Sequence, residues 1–292
     1  MRRSLKITVI VLGVVVALIV AAILIVPPML TKEPMLEALA AMESTETVTV
    51  VDGRPITFTP VEGTTSGLII YPGALVEPRS YAPAAHALAG GGVFVAIVPM
   101  PLSFAILGAN RADGVIEDHP EITHWVIAGH SLGGVMAARY TSKNPEAIGG
   151  LALWGSYPEN GVDLSGWGGV TTSVFGTLDG LTSVDDIEDS RLRLPSSTAF
   201  VGIEGGNHAY FGWYGDQRGD NPATISRGEQ QRAVIDATAA VVNELAARRL
   251  AAHDAQPLTR SRRRHYLPSA MTAPLTTMMM PMAHMKPCGA VA

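Results

Sequence analysis

Residues 124–140 read HWVIAGHSLGGVMAARY, and this stretch decides which fold the chain can adopt. Its first part, residues 125–128, is a short apolar run of the kind that forms a buried strand. Its last part has apolar residues at helical spacing, so we expect a helix to follow. A strand that turns directly into a helix must reverse within a few residues, which places Ser131 at the apex with its hydroxyl exposed. Gly129 and Gly133 suit this turn, because side chains there would strike the neighbouring strand and helix.

The pentapeptide Gly129-His130-Ser131-Leu132-Gly133, between a predicted strand and a predicted helix, resembles the nucleophile elbow of the α/β-hydrolases. The resemblance extends from about Thr47 to Leu250. It implies that Ser131 is a catalytic nucleophile. It also implies that the backbone N–H of Leu132, at the positive end of the following helix, helps to bind an oxyanion.

The rest of the pattern also favours an α/β fold, because strands that alternate with helices specify a parallel sheet covered on both sides. We expect a mostly parallel, doubly wound sheet with helices on both faces. An antiparallel hairpin should form its N-terminal edge, where Asp52-Gly53 predicts a tight type I′ turn. The predicted strands are residues 48–51, 56–59, 68–71, 93–98, 125–128, 150–154, 170–175 and 198–203, and the predicted helices are residues 80–89, 103–117 with a break near 108, 132–143 and 226–250.

Two further residues follow predicted strands as the resemblance requires. A serine nucleophile needs a base to take its proton and an acid to orient that base. In α/β-hydrolases the chain order is serine, acid, histidine, with the last two on loops after strands. Asp179 follows the strand at residues 170–175, and His208 follows the next strand in a glycine-rich turn. The resemblance therefore implies Asp179 as the acid and His208 as the base.

Other acids and histidines compete for these roles. Asp185 and Asp186 follow the same strand as Asp179, but further along, where they are better interpreted as the start of a helix. His130 is next to the serine in sequence, and we expect its side chain to point elsewhere. The remaining histidines lie within a helix, before the elbow or beyond the last core helix: His86, His119, His124, His253, His265 and His284.

A second oxyanion donor is expected from the loop after the strand at residues 68–71. Many α/β-hydrolases carry His-Gly-X in this loop, whereas this chain has Pro72-Gly73-Ala74. The resemblance makes the N–H of Ala74 the best match and that of Leu75 the second. The proline in place of the common histidine departs from the family pattern.

An aromatic tract follows His208 directly. Tyr210, Phe211 and Trp213, together with Leu75 near the oxyanion loop, are candidates for a substrate pocket, and core packing of the aromatics is the open alternative. The segment at residues 155–169 has room for a loop but not for the helical lid that many lipase-like members insert. We therefore expect a site that suits small or protruding acyl groups.

Composition excludes several other classes of protein. The 292 residues, 47% hydrophobic, suit one domain of about 200 to 250 residues with appendages. A net charge of −5 argues against a nucleic-acid partner. The single cysteine, Cys288, excludes an intrachain disulfide. Because the sequence has no metal-ligand spacing, phosphate-binding glycine loop or dinucleotide fingerprint, we expect neither a metal nor a cofactor.

The chain begins with an apolar segment. Residues 7–26 carry no charge and, at about 1.5 Å per residue in a helix, are long enough to span a bilayer. Arg2, Arg3 and Lys6 precede them, and no positive excess follows, so the positive-inside rule places the N-terminus in the cytoplasm and the catalytic domain outside. The alternative is a secreted protein after cleavage of a signal peptide at Ala38-Leu39-Ala40.

We therefore divide the chain into four parts. Residues 1–30 are a cytoplasmic stub and transmembrane anchor, residues 31–46 a spacer, residues 47–252 an α/β-hydrolase domain, and residues 253–292 a disordered tail rich in arginine, proline and methionine. Two alternative roles for the tail are binding of a soft metal such as copper(I) and contact of its arginines with anionic lipid.

These observations predict a membrane-anchored serine hydrolase without a lid, which cleaves small-molecule carboxylic esters through an acyl-enzyme. Two alternatives remain open. The first is an acyltransferase with the same triad, which passes the acyl group to an alcohol or amine other than water. The second is a non-catalytic, anchored binding module on a hydrolase scaffold.

Overall fold

The computed structural model describes residues 29–254, with side chains through residue 252. The predicted membrane anchor at residues 7–26 lies outside the described residues, as does the predicted tail at residues 253–292 apart from its first two residues, which end the last helix. The anchor and the rest of the tail stay predictions. Within residues 29–254, no helix is long and apolar enough to cross a membrane.

Eight strands form the centre of the described part: β1 (Val48–Val51), β2 (Ile56–Pro60), β3 (Ser66–Tyr71), β4 (Phe94–Ile97), β5 (His124–His130), β6 (Gly150–Trp154), β7 (Val170–Gly176) and β8 (Ala199–Ile203). They make one sheet in the order β1-β2-β4-β3-β5-β6-β7-β8. The pairs β1–β2 and β2–β4 are antiparallel, and the remaining pairs are parallel. The carboxyl ends of the parallel strands therefore meet at one edge of the sheet, which we call the catalytic edge.

Helices connect and cover these strands. The α-helices of the described part are α1 (Leu36–Ala40), α2 (Ala82–Gly90), α3 (Ala112–Asp118), α4 (Leu132–Lys143), α5 (Val184–Ser190) and α6 (Arg227–Asp254). Short 3-10 turns occur at Pro78–Tyr81, Pro101–Ser103, Ala105–Leu107, Arg191–Arg193 and Ala209–Phe211. The segment at residues 155–169 contains neither a helix nor a strand.

Both faces of the sheet are covered, because successive residues of a strand point to opposite sides. In β3, Leu68 and Ile70 pack with α2 and α6 on one face, and Ile69 and Tyr71 pack with α3 and α4 on the other. All four side chains are completely buried. A strand covered on both sides reads as an unbroken apolar run, as this one does. The predicted doubly wound sheet with an antiparallel edge is confirmed.

The turn between β1 and β2 differs from the prediction. Val51 pairs with Thr57, so residues 52–56 lie between the paired positions. Gly53 also lacks the positive φ that a type I′ turn requires. The predicted two-residue turn is wrong, because the register of β2 is set by its pairing with β4 and not by the local preference of Asp-Gly.

The helix predicted at residues 103–117 is also wrong over its first half. The structure has 3-10 turns there, and α-helix only from Ala112. Leu102 and Ser103 have φ values of +52° and +60°, which an α-helix does not accept. The Ser103 carbonyl accepts a hydrogen bond from the N–H of Leu75, at 2.9 Å, and this tertiary contact competes with a regular helix.

The close backbone contact at the start of α4 predicts a difference between two glycines. A Cβ at Gly133 would lie 2.1 Å from the Tyr71 carbonyl oxygen, so we expect Gly133→Ala to lower the free energy of unfolding by about 3 kcal/mol or to prevent folding. A Cβ at Gly114, in α3, would meet no described atom within 4 Å. Gly114→Ala should therefore raise the free energy of unfolding by about 0.5 kcal/mol. Urea unfolding followed by circular dichroism measures both, and equal effects would contradict the elbow geometry.

Candidate active site

Ser131 occupies the sharp turn between β5 and α4. Its φ of +52° and ψ of −125° are strained for a residue with a side chain. The backbone around it is held by two hydrogen bonds, from its own N–H to the Trp154 carbonyl at 3.0 Å and from the Ser156 hydroxyl to its carbonyl at 2.7 Å. The turn can be this tight only because Gly129 has no side chain. A Cβ there would lie 2.4 Å from the backbone of Gly133. Ser131 itself is partly exposed.

Asp179 and His208 meet on neighbouring loops at the catalytic edge. The Nδ1–H of His208 donates to Asp179 Oδ2 at 2.8 Å, and both side chains are completely buried. The other carboxylate oxygen, Oδ1, accepts from the N–H groups of Leu181 at 2.8 Å and Thr182 at 2.7 Å. The carboxylate is therefore fixed from both sides. Because Nδ1 carries the donated hydrogen, Nε2 of neutral His208 is left as an acceptor.

The structure does not join Ser131 to this pair by a hydrogen bond. His208 Nε2 is buried and has no hydrogen-bond partner among residues 29–252. The ring of His130, the residue before Ser131, lies 4.6 Å from the ring of His208 between centroids. Catalytic hydrogen bonds are often long or misaligned in the free enzyme and tighten only in the substrate complex.

Asp220 links the loops that carry Asp179 and His208. Its carboxylate accepts from the N–H of Gly180, beside the acid, at 3.1 Å. It also accepts from the N–H groups of His208 at 3.1 Å and Ala209 at 2.8 Å. One side chain thus fixes the spacing of two loops that follow different strands. The sequence analysis missed this residue.

The first turns of α6 hold the other side of the His208 loop. Gln230, which is fully buried, accepts from the N–H of Asn207 at 3.0 Å and donates to its carbonyl at 2.7 Å. Gln231 donates to the Tyr210 carbonyl at 2.6 Å, and the Arg227 guanidinium donates to the Ala209 carbonyl at 2.7 Å. Long polar side chains on the buried side of an otherwise amphipathic helix were the sequence signal that could have identified these residues.

The oxyanion loop, residues 72–77, leaves one of its N–H groups without an acceptor. The N–H of Gly73 donates to the Tyr81 hydroxyl at 2.9 Å, and those of Leu75, Val76 and Glu77 donate to backbone carbonyls. Within the described part of the chain, the N–H of Ala74 makes no hydrogen bond. The N–H of Leu132, the first residue of α4, is likewise unpaired there. These are the two groups expected to bind an oxyanion.

Leu75, the second choice for an oxyanion donor, is corrected by the structure. Its N–H donates to the Ser103 carbonyl at 2.9 Å and so is not available to a substrate. The Leu75 side chain is partly exposed, and its backbone φ is +55°.

The aromatic tract after His208 divides into two groups. Phe211 is completely buried and stacks on His130 at 5.5 Å between ring centroids, so it packs in the core behind the histidines. Tyr210 and Trp213 are partly exposed. The Arg227 guanidinium covers the Tyr210 ring at 4.1 Å, and the buried Nε1 of Trp213 has no hydrogen-bond partner in the described region.

His130 was expected to point elsewhere, and that expectation is wrong. Its ring packs against His208 and Phe211, and its Nδ1 lies 2.8 Å from the Tyr81 hydroxyl. Since this hydroxyl already accepts from Gly73, its own hydrogen goes to Nδ1 of His130. Burial, with the nearby His208 as a second cause, lowers the pKa of His130 well below its usual value. His130 is therefore a neutral ring that lies between Tyr81, which holds the Gly73 N–H, and His208.

The competing carboxylates lie elsewhere. Asp185 and Asp186 stand in the first turn of α5, as the sequence indicated, and the Ser183 hydroxyl and Asp186 cap that helix reciprocally. No group of three or more His, Cys, Asp or Glu side chains that could hold a metal ion occurs in the described part.

The buried, neutral His130 predicts a loss of stability in acid. In the unfolded chain its pKa returns to about 6.5, so the unfolded state binds a proton that the folded state does not. The free energy of unfolding should therefore fall as the pH drops below about 6.5, by up to about 1.4 kcal/mol per pH unit from this residue. His130→Gln should reduce that slope, and His124→Gln, at a partly exposed site, should not. Denaturant titrations at about pH 7 and about pH 5.5 measure it, and an unchanged slope in His130→Gln would refute the assignment.

Comparison with known proteins identifies a family for the chain. A family model described as "Alpha/beta hydrolase family" matches residues 67–232, which include Ser131, Asp179 and His208. No curated protein matches the chain.

Solved structures share the fold at low sequence identity. A predicted CIB-like hydrolase from Thermoplasma acidophilum superposes with a TM-score of 0.53 at 13% identity, covering 66% of this chain and 99% of its own. Est1E from Butyrivibrio proteoclasticus, in a structure with ferulic acid bound, gives a TM-score of 0.50 at 12% identity, covering 68% of this chain and 98% of its own. With the family model matching more than half of its residues, this chain belongs to the alpha/beta hydrolase family.

Proposed function

We propose that the protein is a serine hydrolase that cleaves carboxylic esters through a triad of Ser131, Asp179 and His208. The observation that carries the proposal is the buried hydrogen bond of 2.8 Å between Asp179 Oδ2 and His208 Nδ1. It joins two loops beside a strained serine turn, at the catalytic edge. A buried histidine oriented by a carboxylate, with its second nitrogen unpaired, is suited to accept a proton from a nucleophile.

In the proposed reaction, His208 Nε2 takes the proton of the Ser131 hydroxyl while Oγ attacks the ester carbonyl carbon. The hydroxyl rotates toward Nε2 when the substrate is bound. Asp179 stabilises the imidazolium that results and stays ionised. The product of this step is a tetrahedral intermediate with a negative charge on the former carbonyl oxygen.

The N–H groups of Ala74 and Leu132 would receive this oxyanion. Both are unpaired in the described part of the chain, so they need not break a protein hydrogen bond to bind it. The Leu132 group also lies at the N-terminus of the twelve-residue helix α4, whose dipole favours a negative charge. Donors fixed in advance are usually the largest single contribution to catalysis of acyl transfer.

The intermediate collapses when the ester oxygen leaves with the proton held by His208, and an acyl group remains on Ser131. Water then repeats the sequence, with His208 as the base, and releases the carboxylic acid. The short loop at residues 155–169, which contains no helix in the structure, supports a substrate with a small or protruding acyl group.

The first test removes the nucleophile. Ser131→Ala should lower kcat for a short-chain nitrophenyl ester by about 10⁴-fold or more, and Asp179→Ala and His208→Ala should each do the same, because the three side chains act as one unit. Ser165→Ala, at an exposed serine, is the control and should leave kcat unchanged.

A fluorophosphonate probe gives an independent measurement, since only an activated serine reacts with it. Labelling should be present in the wild type and absent in Ser131→Ala. Retained ester hydrolysis in Ser131→Ala would end the proposal, and absence of labelling in the wild type would favour a binding module.

Asp220 gives a second test, because it fixes the spacing of the Asp179 and His208 loops. Asp220→Asn replaces a carboxylate that accepts from four backbone N–H groups with an amide that cannot accept from all of them. We expect kcat to fall by about 10²-fold with KM nearly unchanged, since small displacements of a catalytic group have effects of this size. Asp216→Asn, at an exposed carboxylate four residues earlier, is the matched control. Equal kcat in the two variants would rule out this role.

A further inference from the structure

The segment at residues 31–35 crosses the catalytic edge instead of merely leading into the domain. The N–H of Lys32 donates to the Leu75 carbonyl at 2.7 Å, and the N–H of Glu77 donates to the Lys32 carbonyl at 3.0 Å. This is a parallel β-bridge with the oxyanion loop. A few residues later, the N–H of Met35 donates to the Trp213 carbonyl at 2.9 Å. We call residues 31–35 the strap.

The strap holds one strained residue of the oxyanion loop. Leu75 has a φ of +55°, which costs a residue with a side chain on the order of 1–2 kcal/mol. Such a conformation persists only where the surroundings fix it. At Leu75 two backbone contacts do so, with Ser103 accepting from its N–H and Lys32 donating to its carbonyl. The Thr31 hydroxyl also lies 3.1 Å from the Ser103 hydroxyl, which ties the two supports together.

The φ angle of Leu75 controls where Ala74 points. Rotation about the N–Cα bond of Leu75 turns the preceding peptide groups relative to residues 75–77, whose backbone is paired with Lys32. If Leu75 relaxed to a negative φ, the direction of the Ala74 N–H relative to residues 75–77 would change. The N–H of Ala74 is also the one in residues 73–77 that lacks an acceptor in the described part of the chain.

We infer that one peptide group of the strap, the backbone N–H of Lys32, positions the oxyanion loop by fixing Leu75. The inference rests on the proposed function, since it gives the strap a role in binding the oxyanion. Lys32 is a positioning residue, and its action depends on its peptide group and not on its charge.

The test distinguishes the effect of the Lys32 peptide N–H from the effect of the Lys32 side chain. In the full-length protein, purified in mild detergent because of its apolar N-terminal run, Lys32→Pro removes the N–H and Lys32→Ala keeps it. Glu33→Pro is a second control, because the N–H of Glu33 makes no hydrogen bond among the described residues. Thermal unfolding establishes that all three variants are folded.

Lys32→Pro should lower kcat for the nitrophenyl ester at least about tenfold, toward the roughly 10²-fold effect of losing one oxyanion-hole donor. KM and the acid limb of the pH profile should stay unchanged, because Asp179 and His208 are not touched. Lys32→Ala and Glu33→Pro should keep wild-type kcat. Hydrogen exchange at residues 73–77, measured without substrate, should become faster only in Lys32→Pro.

A kcat of Lys32→Pro equal to that of Lys32→Ala, or exchange at residues 73–77 equal in the two, would overturn the inference. So would a changed KM or a displaced acid limb, since either would indicate general damage to the site. Failure of the proposed function is recognised separately, by comparing ester hydrolysis by the wild type with that by Ser131→Ala.

Discussion

The backbone crossing at the elbow is the constraint on which the rest of the structure depends. Gly129 and Gly133 approach each other so closely, and Gly133 approaches the Tyr71 carbonyl so closely, that no side chain fits at either position. This contact packs the first turn of α4 onto the ends of β3 and β5. It holds Ser131 in a strained conformation and directs the N-terminus of α4 toward the oxyanion loop. A strain of about 1–3 kcal/mol is small beside the packing that imposes it.

The loops around the serine have little regular structure of their own, so distant polar groups fix their positions. Asp220 joins the Asp179 loop to the His208 loop, and Gln230 holds the His208 loop from α6. The oxyanion loop takes its supports from Tyr81, Ser103 and Lys32. The precision of the site therefore comes from hydrogen bonds between segments that are far apart in sequence. Such networks have large effects when one member is lost, because the partner is left buried and unpaired.

The errors of the sequence analysis have a common cause. The Asp52-Gly53 turn and the helix at residues 103–117 were expected from local preference, and strand register and the contact of Ser103 with Leu75 overrode it. His130 was expected to point elsewhere, with no account taken of the alternation of side chains along a strand. At the end of β5 that alternation places its ring between Tyr81 and His208, beneath the loops. Periodicity describes one element at a time and carries no information about what packs over its end.

The sequence by itself determined the order of strands and helices, the elbow glycines and the doubly wound sheet, because apolar periodicity and glycine placement act within a single element. It also indicated Asp179 and His208, since each follows a strand whose end reaches the catalytic edge. Only the tertiary structure decided that their side chains form a hydrogen bond of 2.8 Å, that Asp220 bridges their loops, and that the strap pairs with Leu75. Those contacts join residues tens of positions apart, and their geometry exists only once the sheet and its loops have packed together.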